Sequence, residues 1–222
     1  MHVEWYGQSA FRLQANGTTV FVDPFGDMAM ARERGMRWDY PEIAGVDADL
    51  LLVTHEHGDH NAVDAIGGDP AVVRSAPGRH QTGIGEVVGV ASEHDAAAGT
   101  ERGPNTIYVF ELGGLRVAHF GDFGQSALRP EQAEAIGTVQ LAFLPVGGGP
   151  TIDGEAAAEI ARQIGARWVV PHHYRSERID FLEPVDGFLG HAAAVHRLSE
   201  PGFDTEALPR SGGPIAVVPA AP

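Results

Sequence analysis

The densest metal-binding chemistry in this sequence lies in six residues, His55-Glu56-His57-Gly58-Asp59-His60, directly after the apolar run Leu50-Leu51-Leu52-Val53. Imidazole nitrogen and carboxylate oxygen are ligands that suit zinc, manganese or iron. The apolar run reads as a short buried strand, so the place where these ligands emerge is fixed by a sheet. Parsing the segment as His-Glu-x-x-His on a helix fails, because position 59 is Asp59 and Gly58 spoils the helix. Glu56 is therefore expected to be a loop residue pointing away from the metal. A pair of metals about 3.5–4 Å apart needs roughly six or seven ligands. His55, His57, Asp59, His60, His94, Asp122 and His173 form such a set, all at the ends of expected strands or just beyond them.

The elements that must hold these residues read as strands and helices in mixed order. Val3 to Tyr6, Ala10 to Gln14 and Thr18 to Asp23 are expected strands, the last two joined by Asn16-Gly17 in a tight type I′ turn. Residues 24–45 read as a long loop, partly helical, either lying over a site or forming an irregular surface connection. Asn61 is expected to cap a short helix to Ile66, ended by Gly67-Gly68. Val72 to Ser75 and Val87 to Ala91 are further strands, and Ile107 to Leu112 pairs with Leu115 to Phe120 across Gly113-Gly114. A helix starts at Pro130 and stops at Gly137, and another, capped by Asp153, runs to Gly165 with Ala157, Ile160, Ala161 and Ile164 on its apolar face. Val139 to Pro145 and Arg167 to Val170 are buried strands; Phe188 to Leu198 reads as a last helix, and the tail from Pro209 as an extended, partly mobile segment. The pattern is that of an α/β chain with sheets covered by helices, one domain over residues 1–222.

Composition removes several chemistries. The chain has no cysteine, which excludes disulfides, thiolate metal sites and a Cys nucleophile. All 15 basic residues are arginine, so Schiff-base catalysis and a phosphate-loop lysine are excluded as well. A net charge of −15 repels phosphate backbones, and no nucleic acid partner is expected. A small anionic substrate remains compatible, since divalent cations reverse the local potential. No stretch approaches the roughly 18 apolar residues of a membrane span, and no secretory signal opens the chain; the expected location is the cytoplasm. Nothing in the sequence sets an oligomeric state.

His-x-His-x-Asp-His after a Leu/Val-rich strand resembles the signature of the metallo-β-lactamase-fold superfamily, and the resemblance runs along most of the chain. Val22-Asp23-Pro24 is similar to its early aspartate motif, Phe120-Gly121-Asp122 to its bridging-aspartate motif and Val170-Pro171-His172-His173-Tyr174 to its final histidine motif. Trp5-Tyr6-Gly7-Gln8-Ser9-Ala10-Phe11 and Leu144-Pro145-Val146-Gly147-Gly148 resemble the ascorbate-6-phosphate-lactonase-like branch of small hydrolases. The resemblance implies a four-layer αβ/βα sandwich of two mixed sheets covered by helices, with a dinuclear site between them. On that pattern His55, His57 and His94 bind one metal, Asp59, His60 and His173 the other, and Asp122 bridges. His94 lacks the Gly-His context of the family motif, with His80 as a weaker substitute. His172 and His173 should point to opposite sides of an extended segment, and the Pro-x-His-Tyr pattern selects His173.

Motif and resemblance together imply a hydrolase. Two divalent ions, zinc first and manganese or iron as alternatives, would share a hydroxide that opens an ester-type bond, lactone or phosphoester, of a small substrate. Asp59 is expected to orient that hydroxide or pass a proton to the leaving group. Asp23 is expected to orient a ligand histidine through its other ring nitrogen, and Tyr174 and Arg175 to contact an anionic substrate group. A phosphodiesterase or nuclease of the same superfamily and a non-catalytic metal-binding protein are the alternatives.

Overall fold

Alternating apolar side chains dictate two sheets packed face to face. The computed structural model describes all 222 residues. Its strands are β1 (His2–Gly7), β2 (Ala10–Ala15), β3 (Thr18–Val22), β4 (Val46–Asp47), β5 (Leu50–Val53), β6 (Ile66–Gly67), β7 (Ala71–Arg74) and β8 (Gly78–Thr82) in the first part of the chain. The second part contributes β9 (Gly85–Glu93), β10 (Pro104–Leu112), β11 (Leu115–His119), β12 (Leu141–Pro145), β13 (Trp168–His172), β14 (Ala194–Arg197), β15 (Gly202–Asp204) and β16 (Ile215–Val218). The helices are α1 (Ala29–Glu33), α2 (Pro130–Ile136), α3 (Gly154–Gln163) and α4 (Asp186–Leu189). One mixed sheet has the order β15-β1-β2-β3-β5-β7, the other β14-β16-β13-β12-β11-β10-β9-β8, and β4 pairs with β6 alone.

β5 is buried on both faces, as a central parallel strand must be. Leu50 and Leu52 point into the main core, where Phe11 of β2 meets Phe143 of β12 at 4.5 Å between ring centroids. Leu51 and Val53 point the other way, into a smaller cluster with Phe25, Trp38, Tyr40 and Ile43. The 24–45 segment thus covers the outer face of the first sheet, with the five-residue α1 as its only helix, and it lines a cavity of about 430 Å³ with Phe25, Met28, Arg32, Trp38 and Ala65. None of the expected metal ligands lines that cavity. Over the second sheet α3 buries Ala157, Ile160, Ala161 and Ile164, and its Asp153 cap accepts from Ala156 N–H at 2.9 Å. The expected Asn16-Gly17 turn is present, with φ of +54° and +79°. No helix is long and apolar enough to cross a membrane.

Three local expectations need correction. Phe188 to Leu198 is not a helix: α4 ends at Leu189 and Ala194–Arg197 is β14. Without a buried face the segment gains little as a helix, and pairing with β16 at the sheet edge overrides its weak local preference. The tail is not a loose extension, because Ile215–Val218 inserts between β13 and β14 and is fully buried. Asn61 caps no helix; its side chain donates to the Glu56 carbonyl at 3.1 Å, and only a 3₁₀ turn, Val63–Ala65, follows.

Candidate metal centre

Each expected ligand leaves the end of a strand at one rim of the sandwich. Thr54 and His55 follow β5, His94 follows β9, Asp122 lies three residues past β11, and His173 follows β13. β11, β12 and β13 are parallel, and β9, antiparallel to β10 beside β11, runs the same way. Their carboxyl ends therefore meet at one edge, where open α/β sheets collect their ligands. Close backbone approach at this rim demands glycine. A Cβ on Gly121 would sit 2.5 Å from Thr54 Oγ1, and one on Gly147 would sit 2.1 Å from the His173 carbonyl oxygen.

The side chains converge on one oxygen. Asp122 Oδ2 lies 3.1 Å from His94 Nε2, 3.1 Å from His173 Nε2, 3.3 Å from His60 Nε2 and 4.0 Å from His55 Nε2. His57 Nδ1 faces His55 Nε2 at 3.0 Å, and Asp59 Oδ2 lies 3.5 Å from His60 Nε2. Three ligand groupings fit single ions: His55-His57-His94, His55-His60-Asp122 and Asp59-His60-His173. All seven expected ligands are thus together, His94 included. His55, His60, His94, Asp122 and His173 are buried, whereas the Asp59 side chain is 21% exposed and so stands at the mouth.

The outer nitrogens of three rings are tied down as donors. Thr54 Oγ1 donates to Asp23 Oδ2 at 2.7 Å, so it accepts from His55 Nδ1–H at 3.0 Å. His60 Nδ1–H donates to the same oxygen, Asp23 Oδ2, at 3.0 Å. His94 Nδ1–H donates to the Pro150 carbonyl at 3.0 Å. With each Nδ1 committed as a donor, the inner Nε2 is the atom each of these rings can offer to a cation, and His60 Nε2 is buried without a hydrogen-bond partner. One carboxylate oxygen cannot satisfy four imidazoles by hydrogen bonds. Imidazole nitrogens together with two carboxylates make an N/O donor set that fits divalent cations.

Electrostatics without cations carries the same message. Burial among other imidazoles pushes His55 down to about 2, and burial likewise lowers His57. His60 moves well above its ordinary value, because the carboxylates of Asp122 and Asp59 outweigh the burial that opposes its charge. Burial would raise Asp122, yet His173 and His60 hold its carboxyl well below the usual range. Asp59 is lowered against burial by His60.

Asp23, with no exposed surface, also accepts from Thr54 N–H at 2.8 Å. Asp23→Ala is expected to destabilise the metal-free protein by about 3–5 kcal/mol, because it strands buried donors on Thr54 and His60; urea unfolding of the variant measures this.

Other expectations resolve differently. Glu56 does point away, into an exposed ion pair with Arg74 Nη2 at 2.5 Å. His80 is remote, its Nε2 donating to the Ala76 carbonyl. His172 and His173 do not face opposite ways: φ of +52° at His173 breaks the strand's alternation, and both rings turn toward Asp122 and its neighbour Ser9. Tyr174 is packed in the core, its ring 5.6 Å from Trp5, and Arg175 Nε donates to the Leu182 carbonyl at 2.6 Å. Both side chains are thereby engaged in holding the fold.

Four further residues shape the rim. Gln8 Nε2 donates to Asp59 Oδ2 at 3.2 Å, and Ser9 Oγ to Asp122 Oδ1 at 3.4 Å. Asn105 Oδ1 accepts from Asp122 N–H at 3.1 Å, and Thr54 links Asp23 to His55. Thr54 adjoins the hexapeptide, and Gln8 and Ser9 lie in the Trp5–Phe11 segment that carries part of the resemblance, though nothing there announces their roles; Asn105 arrives with no sequence signal.

Two facing sheets with a His/Asp cluster where their strand ends meet are the arrangement of a metal-dependent hydrolase. A family model described as a beta-lactamase superfamily domain matches residues 2–173. A UPF0173 metal-dependent hydrolase of Nitratidesulfovibrio vulgaris strain DP4 is 31% identical over 197 residues, covering 78% of this chain and 79% of that one. A second, from Thermococcus onnurineus strain NA1, is 30% identical over 199 residues, covering 78% and 84%. Among solved structures, one from Thermotoga maritima, described as a Zn-dependent hydrolase of the metallo-β-lactamase superfamily, is similar with a TM-score of 0.78 and 29% identity over 98% of both chains. The chain belongs to this superfamily, as a metal-dependent hydrolase.

Proposed function

We propose that this hydrolase holds two divalent cations, zinc first and manganese or iron as alternatives, and cleaves an ester-type bond, lactone or phosphoester, of a small anionic substrate, with residues 1–222 acting as one unit. The observation that carries the reading is the convergence of four imidazole nitrogens on Asp122 Oδ2 within 3.1–4.0 Å, with His57 and Asp59 adjoining. His55, His57 and His94 would hold one ion, Asp59, His60 and His173 the other, and Asp122 both. When bound, such a pair acidifies water from a pKa of 15.7 toward about 7 and polarises the scissile carbonyl or phosphoryl group.

The chain's own residues do the rest. Asp23, through Thr54 and directly, keeps His55 and His60 in the tautomers whose Nε2 atoms face inward. Asp59, ionised, partly exposed at the mouth and steadied by Gln8 Nε2 at 3.2 Å, can take up the proton that the attacking water loses and pass it to the departing oxygen. Asp59→Ala is expected to lower kcat by about 10²–10⁴-fold, the range of a lost general acid, in a folded protein. The decisive experiment is elemental analysis of the purified protein, then lactone, phosphodiester and thioester panels after stripping and reloading with each metal. Two ions per chain and turnover that needs them support the reading; full activity in the stripped sample, or fewer than two ions, defeats it.

A further inference from the structure

The seven proposed ligands leave one buried imidazole at the same rim without a task. His172 has no exposed surface and belongs to none of the three ligand groupings. Its Nδ1 lies 3.0 Å from Ser9 Oγ, and its Nε2 has no hydrogen-bond partner. Ser9, equally buried, lies 3.4 Å from Asp122 Oδ1.

Counting protons fixes the direction of this chain. As a carboxylate that serves the cluster through Oδ2, within 3.1–3.3 Å of His94, His173 and His60, Asp122 can only accept at Oδ1. A hydroxyl has one proton, so Ser9 gives it to Asp122 Oδ1, and its oxygen must then accept from His172 Nδ1–H. The ring is held for that task. His119 stacks on it at 5.1 Å with planes 22° apart, and Phe11 meets it edge-on at 5.9 Å. His119 is itself pinned, its Nε2–H donating to the Ser9 carbonyl and its Nδ1 accepting from Gly121 N–H, both at 3.1 Å. The same grammar, imidazole to hydroxyl to carboxylate, recurs across the rim in His55, Thr54 and Asp23. There the carboxylate orients the ligand histidine; here the order is turned round, and the imidazole orients the carboxylate.

We infer that Ser9 and His172 are positioning residues for Asp122: their hydrogen-bonded chain occupies Oδ1, so that Oδ2 alone is presented to the imidazoles and to the two cations. The inference rests on the dinuclear reading above. A carboxylate freed at Oδ1 can rotate and offer both oxygens to one cation, which leaves the other short of a ligand. The backbone bond from Asp122 N–H to Asn105 does not prevent this, because it holds the main chain and not the carboxyl group.

The test measures binding, not turnover. Zinc affinity is titrated against a chromophoric chelator, and manganese-loaded protein is examined by electron paramagnetic resonance for the coupled signal of two ions sharing an oxygen. Ser9→Ala is expected to weaken the second equivalent of zinc by about 10–100-fold, the usual cost of losing a partner behind a metal ligand, and to diminish the coupled manganese signal. His172→Phe keeps the ring's bulk and loses the donor, so it should weaken the same equivalent; His172→Asn restores an N–H toward Ser9 and should recover it. A merely structural role would lower the melting temperature of metal-free and loaded forms alike with affinity unchanged. If Ser9→Ala fails to fold, the His172 pair decides alone. Wild-type affinity and coupling in Ser9→Ala, or equal affinities in His172→Phe and His172→Asn, overturn the inference. A wild-type protein that binds fewer than two ions overturns the dinuclear reading with it, and that outcome is distinct from the others.

Discussion

Asp122→Ala is expected to leave less than about 10⁻⁴ of wild-type turnover and to release at least one cation per chain. The magnitude comes from what the carboxylate would share between two ions: acidifying water from 15.7 toward about 7 spans more than eight orders of magnitude in hydroxide availability. Nothing nearby can replace it. Asp59 Oδ2 sits on the far side of His60 Nε2 at 3.5 Å, and Asp23 is already occupied by Thr54 and His60. The fold should survive, because the variant removes the buried anion that His94 and His173 face and leaves no uncompensated negative charge behind. Circular dichroism, elemental analysis and a turnover assay on one preparation check this. Retained turnover above a hundredth of wild type would show that the convergence on Oδ2 is not the reactive centre. Asp122→Asn sharpens the point, since it keeps the shape and loses the charge, and should be nearly as inactive.

Much of this centre is legible in the sequence, for a physical reason. Ligands at short spacing after an apolar strand, such as His55, His57, Asp59 and His60, carry their geometry locally: β5 fixes the exit point and Gly58 excludes a helix. Asp122 and His173 are legible because each also follows a buried strand, β11 or β13. The roles of Ser9, Gln8 and Asn105 are not, although Ser9 and Gln8 sit in the Trp5–Phe11 segment that carries part of the resemblance. These residues reach the site from the β1–β2 turn and from β10, and their relevance depends on pairings over 113, 51 and 17 residues of sequence respectively. The orientation of His172 escapes for a similar reason, since strand alternation predicts opposite faces and the positive φ at His173 is a conformation no local pattern announces. In the fold, β16 is hidden because a strand inserted between β13 and β14 owes its existence to its neighbours. The four residues Ile215–Val218, flanked by Gly213-Pro214 and Pro219, look like a tail until the sheet supplies partners.

Metal removal is expected to expose a pH dependence that the loaded protein lacks. In the metal-free cluster His60 takes a proton well above the ordinary histidine range, and Asp122 gives one up well below the ordinary carboxylate range. A raised folded-state value for His60 means stability that is complete below about pH 6.5 and is lost as pH rises through the folded value. A depressed value for Asp122 means stability present above about pH 3.9 and lost as pH falls through the folded value. His55, His57, His119 and His172, all lowered by burial, work the other way and cost stability as pH falls below about 6.5. The metal-free protein should therefore be most stable around pH 6.5 and lose stability toward pH 9. Each pH unit over which one proton separates the states is worth about 1.4 kcal/mol, or about 3–6 °C in melting temperature for a chain of this size. Binding reverses the slope, because cations need neutral imidazoles and displace the proton on His60, so affinity rises with pH. Melting curves from about pH 7 to 9, with and without a chelator, should diverge steadily: the stripped protein falls while the loaded one holds. Parallel curves would mean that the protons and the cations do not compete for the same nitrogens, and the cluster would then be an ion-pair network of the fold instead of a metal centre.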